Sequence, residues 1–125
     1  MTLLHLTSRH LVGGTLIEVT GELDAATAAQ LSTYIEHEHP KSELPLVLNL
    51  AELTFMDSAG VHLLIDLHHR QAGHGAALHL AAPHERVIRV LDITHVSRLL
   101  HIHATLGQAV TAADLIDPEA VSPRG

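Results

Sequence analysis

Apolar residues along this chain recur with two periods, and the changes between them mark out its elements. Leu3 to Ser8 and Thr15 to Thr20 are short β-type runs, and Gly13-Gly14 between them is a hairpin signal. In the second run Leu16, Ile17 and Val19 favour a strand, which Gly21 is expected to end. Asp24 stands before Ala25 to Leu31 as the N-cap of a first helix, and Ala28, Leu31 and Ile35 share one face of it. Pro40 closes that helix. Leu46 to Leu50 carries almost no alternation, which predicts a strand covered on both faces. After Asp57 the pattern is helical again, with Val61, Leu64, Ile65 and His68 on one stripe and Leu63 and Leu67 widening it. Gly73-His74-Gly75 ends the helix, and Ala76 to Ala81 reads as the next strand. Pro83 opens a further helix with Val87, Val90 and Leu91 facing inward, and a weak strand is expected around Arg98 to His103. Thr105 caps a last helix through Leu106, Ala109, Val110 and Ala113.

The order ββ-α-β-α-β-α-β-α predicts an α/β fold: one mixed sheet of four to five strands packed with about four helices. Residues 1–116 are expected to form the domain and 117–125, with Pro118 and Pro123, a flexible tail. At 125 residues the chain suits a single core.

Composition narrows the function classes. The core is aliphatic, since the only aromatic residues besides histidine are Tyr34 and Phe55, too few for a base-stacking platform. The formal charge is −7 and Lys41 is the lone lysine, so neither nucleic acid nor an anionic membrane is an expected partner. Without cysteine there are no disulfides or thiolate sites. No long apolar run or signal-peptide pattern is present, and a cytoplasmic location is expected. Thirteen histidines are the oddity. The near pairs His37/His39, His68/His69 and His101/His103 lack a metalloprotease-type helix pattern, and an i,i+2 pair converges only on a strand. A solvated polar surface is expected, with no metal site and no cofactor.

The richest segment runs from Leu46 to Gly60, where an apolar strand leads into a helix opening Asp57-Ser58-Ala59-Gly60. Three readings of Ser58 are open. It can cap the helix, as Ser and Asp commonly do. It can be a nucleophile, but Met56 replaces the first glycine of the Gly-x-Ser-x-Gly elbow. It can accept a phosphate, whose charge a helix N-terminus tolerates. An aspartyl-phosphate receiver centred on Asp57 fails for want of a late lysine. Gly60 weakens the first turn by roughly 0.5–1 kcal/mol relative to alanine, and is read as leaving room for another molecule's backbone.

Gly21-Glu22-Leu23-Asp24 followed by Leu53-Thr54-Phe55-Met56-Asp57-Ser58-Ala59-Gly60 closely resembles bacterial anti-sigma factor antagonists, which are small STAS-domain proteins. The resemblance covers roughly residues 3 to 115. It implies a STAS-type fold without catalytic activity and a partner-switching role. In that role the unphosphorylated protein binds an anti-sigma factor that is also a serine kinase, and the sigma factor is released. Phosphorylation at the serine matched by Ser58 ends the binding, and a serine phosphatase restores it. The implied docking surface comprises Gly21, Glu22, Asp24, Asp57, Ser58 and Gly60, with His62, Asp66 and His69 on the following helix. If the strand ends carrying Asp24 and Asp57 are neighbours, both acids rim one surface beside Ser58. Ala59 stands where many relatives have a second hydroxyl. His62 and His69 near the docking face are read as neutral spectators, with pH-sensitive partner binding as the alternative reading. The alternative is a non-catalytic STAS scaffold subunit of a transport or stress-signalling complex.

Overall fold

The computed structural model describes residues 3–116. Strands β1 (His5–Leu11) and β2 (Gly14–Leu23) form an antiparallel hairpin, and Gly13 takes φ +99° in its turn, a backbone state that disfavours a side chain. Ile116 bonds back to this turn in both directions, so the end of the described chain fastens the hairpin. Helix α1 (Ala28–Glu38) crosses to β3 (Leu46–Asn49), which pairs parallel to β2. After a turn at Leu50 the chain forms β4 (Leu53–Met56), helix α2 (Ser58–Gly73) and β5 (Leu78–Ala81). Helix α3 (Glu85–Ile93), a 3-10 turn at Val96–Arg98, β6 (His101–His103) and α4 (Leu106–Ala112) complete it.

The sheet order is β1-β2-β3-β5-β6, with β4 alongside the far end of β2. The continuous apolar run Leu46 to Leu48 is buried on both faces, because alternate residues serve two cores. Leu46 and Leu48 join Leu78 and Leu80 beneath α1, α2 and α3, while Val47 and Ala81 pack with Ala109 of α4 and its C-cap Ala113 on the other side.

The mixed α/β architecture and its four helices match the expectation, with a sixth strand added. Between Leu50 and Asp57, where no element is predicted, the chain forms β4, which pairs parallel to β2 from Gly21 to Leu23. Gly21 does not end β2. At φ +120° it bulges the strand, its N–H donates to Glu52 O at 3.1 Å, and β2 continues to Leu23. Pro83 lies before α3, whose first residue is Glu85 and whose cap is His84. The stripe of α2 centres on Val61, Leu64, Leu67 and Gln71, with Ile65 and His68 at its margin. The weak strand is confined to His101–His103 because Val96–Arg98 takes a helical turn. The expected flexible tail lies outside the described residues.

Eleven histidines are at least partly exposed, but His39 and His79 are buried. His39 Nε2 faces two acceptors, Leu44 O at 3.0 Å and Gln71 Oε1 at 3.2 Å, so it carries the proton, and Nδ1 accepts from the Thr15 hydroxyl at 2.8 Å. Gln71 also donates to Leu44 O at 2.8 Å. This network ties α1, the 40–45 loop, β2 and α2 together. Burial pushes the His39 pKa down, against the smaller pull of its acceptors.

Candidate functional site

Two strand ends build the site. Leu23 pairs with Met56, and Asp57 N–H donates to Leu23 O at 3.1 Å, so the chain leaves β2 at Asp24 and β4 at Asp57 side by side. The two acidic loops are therefore neighbours, as the sequence left open. Thr54 links the same strands by donating its hydroxyl to Gly21 O at 3.1 Å.

Asp24 does not cap α1. The helix begins at Ala28 after Thr27, and Asp24 instead closes the turn before it, accepting from Ala26 N–H at 2.9 Å and Thr27 N–H at 3.1 Å. Thr27 is buried. Its hydroxyl donates to Glu22 O at 2.8 Å and accepts from Asp24 N–H at 3.0 Å. With that oxygen committed, it cannot cap the helix. Thr27 is thus a structural determinant of the loop, and the Asp-x-x-Thr spacing is its turn signal in the sequence.

At the second loop the division of labour between Asp57 and Ser58 is resolved. Asp57 is the N-cap of α2, its carboxylate accepting from Ala59 N–H at 2.9 Å and Gly60 N–H at 3.3 Å. A cap of this kind contributes about 1 kcal/mol. Ser58 is the first helical residue, exposed, and its hydroxyl has no hydrogen bond among the described residues. It is not a cap. Nor, among the described residues, does any imidazole or carboxylate bond it, as a nucleophile's base would at about 2.6–3.2 Å.

Gly60 is explained by the interior. It is buried, and a Cβ there would stand 2.7 Å from Met56 Cγ and 2.9 Å from Leu23 Cγ. The missing side chain lets α2 sit down on the β2–β4 pair, which replaces the reading that it leaves room for a partner's backbone. Gly60→Ala is expected to cost about 1–3 kcal/mol by overpacking, outweighing the gain in helix propensity. Urea unfolding measures this, and an unchanged midpoint would show that Leu23 and Met56 yield freely.

His62, Asp66 and His69 are exposed on α2. Spaced four and three residues apart, they continue the stripe that begins at Ser58. Gly21, Glu22 and Asp24 are partly exposed in the adjoining loop. Phe55 adds a feature not singled out from the sequence. The only phenylalanine, it is 45 % exposed on β4 opposite Glu22, two residues before Asp57. The resulting surface has an aromatic patch, a helix stripe and two acidic loops around one free hydroxyl. Among the described residues no group of three potential ligands is placed to hold a metal ion, and no helix is long and apolar enough to cross a membrane.

The STAS domain family matches residues 6–109. The chain is 28 % identical over 87 residues to an anti-sigma-B factor antagonist of Staphylococcus epidermidis, covering 70 % of this chain and 81 % of that protein. A Listeria monocytogenes anti-sigma-B factor antagonist is likewise 28 % identical, over 92 residues covering 74 % and 81 %. Among solved structures, the anti-sigma factor antagonist SpoIIAA in its unphosphorylated form superposes with a TM-score of 0.72 at 19 % identity, over 88 % of this chain and 96 % of that one. The phosphorylated form of Bacillus SpoIIAA gives 0.61 at 19 % identity, over 87 % and 97 %.

Proposed function

Because the chain belongs to the STAS domain family, we propose that it is an anti-sigma factor antagonist switched by phosphorylation at Ser58. The unphosphorylated protein binds an anti-sigma factor with serine kinase activity, which then releases its sigma factor. The names of the relatives support the class of function. The observation that carries the mechanism is the Ser58 hydroxyl, exposed and unbonded at the start of α2 while Asp57 performs the capping.

That arrangement separates modification from folding. A phosphate on Ser58 adds about −1.5 to −2 charge at neutral pH. The Ala59 and Gly60 amides are already held by Asp57, so the new group does not displace the cap. It projects from the surface next to the Asp57 carboxylate, with the positive end of the α2 dipole behind it. The domain loses little, whereas a partner seated over Phe55, Ser58, His62, Asp66 and His69 meets bulk and a cluster of negative charge. Phe55 is the apolar anchor of this surface, and Gly21, Glu22 and Asp24 form its rim. Gly60 serves it indirectly by seating α2. The protein itself catalyses nothing and needs no cofactor, the ATP being the kinase's. A serine phosphatase resets the switch, and the exchange takes place in the cytoplasm.

Co-purification from the native cell tests the reading. Tagged Ser58→Ala protein is expected to retain a serine kinase that also binds a sigma factor, and Ser58→Asp to lose it. Recovery of a permease with both variants alike would replace the antagonist by the scaffold alternative.

A further inference from the structure

A second group of histidines lies at the opposite edge of the sheet from β1. Strand β6 is that edge, and His101 and His103, two residues apart on it, point to the same face. His79 on β5 stands directly across from His101. Three imidazoles thus share one face of two adjacent strands. His79 Nδ1 lies 3.0 Å from His103 Nε2, and the rings of His103 and His101 are centred 5.1 and 5.4 Å from that of His79.

We infer that His79, His101 and His103 form a binding site for a divalent transition-metal ion of the imidazole-preferring class, such as Zn2+ or Ni2+. Two nitrogens held by one zinc ion are about 2.9–3.4 Å apart, for bond lengths near 2.0–2.1 Å and angles from right to tetrahedral, so the His79–His103 pair already has the spacing of two ligands. The third closes on a side-chain movement. Among the described residues no three donors yet converge, and the exposed His101 ring, also 6.2 Å from the ring of His68, must turn inward. Its exposure leaves an entry path and a position for water.

The setting favours an ion over a plain polar contact. On its face of the sheet His79 stands beside Val47 of β3 and two residues from Ala81, both buried and apolar, and the one hydrogen bond of its ring among the described residues is to His103. Without metal, one N–H lies between His79 Nδ1 and His103 Nε2. On binding, that proton moves to the other nitrogen of its own ring, and both lone pairs turn to the ion with the imidazoles still neutral. The i,i+2 pair His101/His103 converges because β6 is a strand, and β5 supplies the third ligand that sequence spacing did not reveal.

The test is titration of the purified full chain with Zn2+ at pH 7.5, followed by calorimetry, with Ni2+ as a second probe. One equivalent is expected to bind and raise the melting temperature. His101→Ala and His103→Ala, partly or fully exposed positions that leave the fold intact, each weaken binding about tenfold or more, while His5→Ala and His74→Ala do not. The histidine ring NMR signals of positions 79, 101 and 103 shift together at one equivalent. Absence of binding overturns the site. So does equal binding by the double variant His101→Ala/His103→Ala, or weak uptake of several ions spread over exposed histidines.

Discussion

Ser58→Asp is expected to weaken binding to the anti-sigma kinase by about a hundredfold or more, equivalent to about 2.7 kcal/mol, while shifting the stability of the domain by no more than about 0.5 kcal/mol. The asymmetry follows from position. Ser58 is exposed and its hydroxyl has no hydrogen bond among the described residues, so replacing it removes no hydrogen bond there. The added carboxylate sits beside Asp57, in the middle of a surface that includes Phe55 and the α2 stripe. There a docked partner must desolvate it without an evolved counter-charge, a penalty that reaches 2–5 kcal/mol or more for an uncompensated interfacial charge. Calorimetric titration of the kinase into each variant, beside urea unfolding, measures both halves. Equal affinity of Ser58→Asp and wild type would remove Ser58 from the interface.

The second large effect is acid lability. His79 has a folded pKa of about 4 against roughly 6.5 when unfolded, so between these values the unfolded chain binds more protons. Stability from this group is fully present above pH 6.5 and is lost as pH falls towards 4, by roughly 2–3 kcal/mol once the partial exposure of the His101 and His103 rings beside it is allowed for. His39 is lowered in the same direction by burial and adds to the loss across the same descent. The partly exposed Glu38 is lowered by its hydrogen bonds to Ser8 and His37, which extends the decline into the carboxylate range. Urea unfolding at pH 7.5, 6.0, 5.0 and 4.5 is expected to show falling stability without added metal, and His79→Leu to flatten that profile. A flat wild-type profile would mean that His79 titrates as freely as a surface histidine.

Local signals in the sequence revealed most of the fold because they agree with the tertiary structure. The uninterrupted Leu46 to Leu48 run announces a strand with a core on each side, and Thr105 caps α4 through its bond to Gln108 N–H at 3.1 Å. What escaped depended on long-range partners. Strand β4 is only four residues long and is stabilised by pairing with a β2 that bulges past Gly21, a glycine that locally reads as a terminator. Asp24 looked like a helix cap because the commitment of Thr27 to Glu22 O is invisible without the fold. The same limit applies at the site. The motif placed Ser58 and both acids in one region, but the assignment of the cap to Asp57 and of Gly60 to packing against Leu23 and Met56 required coordinates. Phe55 was in plain view, yet its exposure reverses what an aromatic in a short strand normally signals.

The central claim is that the free hydroxyl of Ser58 is the phosphoacceptor of a partner-binding surface. Intact-mass measurement after incubation with the cognate anti-sigma kinase and ATP tests it most directly. Wild-type protein is expected to gain a single phosphate, and Ser58→Ala none while still binding the kinase. A phosphate added to Ser58→Ala as readily as to wild type would contradict the account.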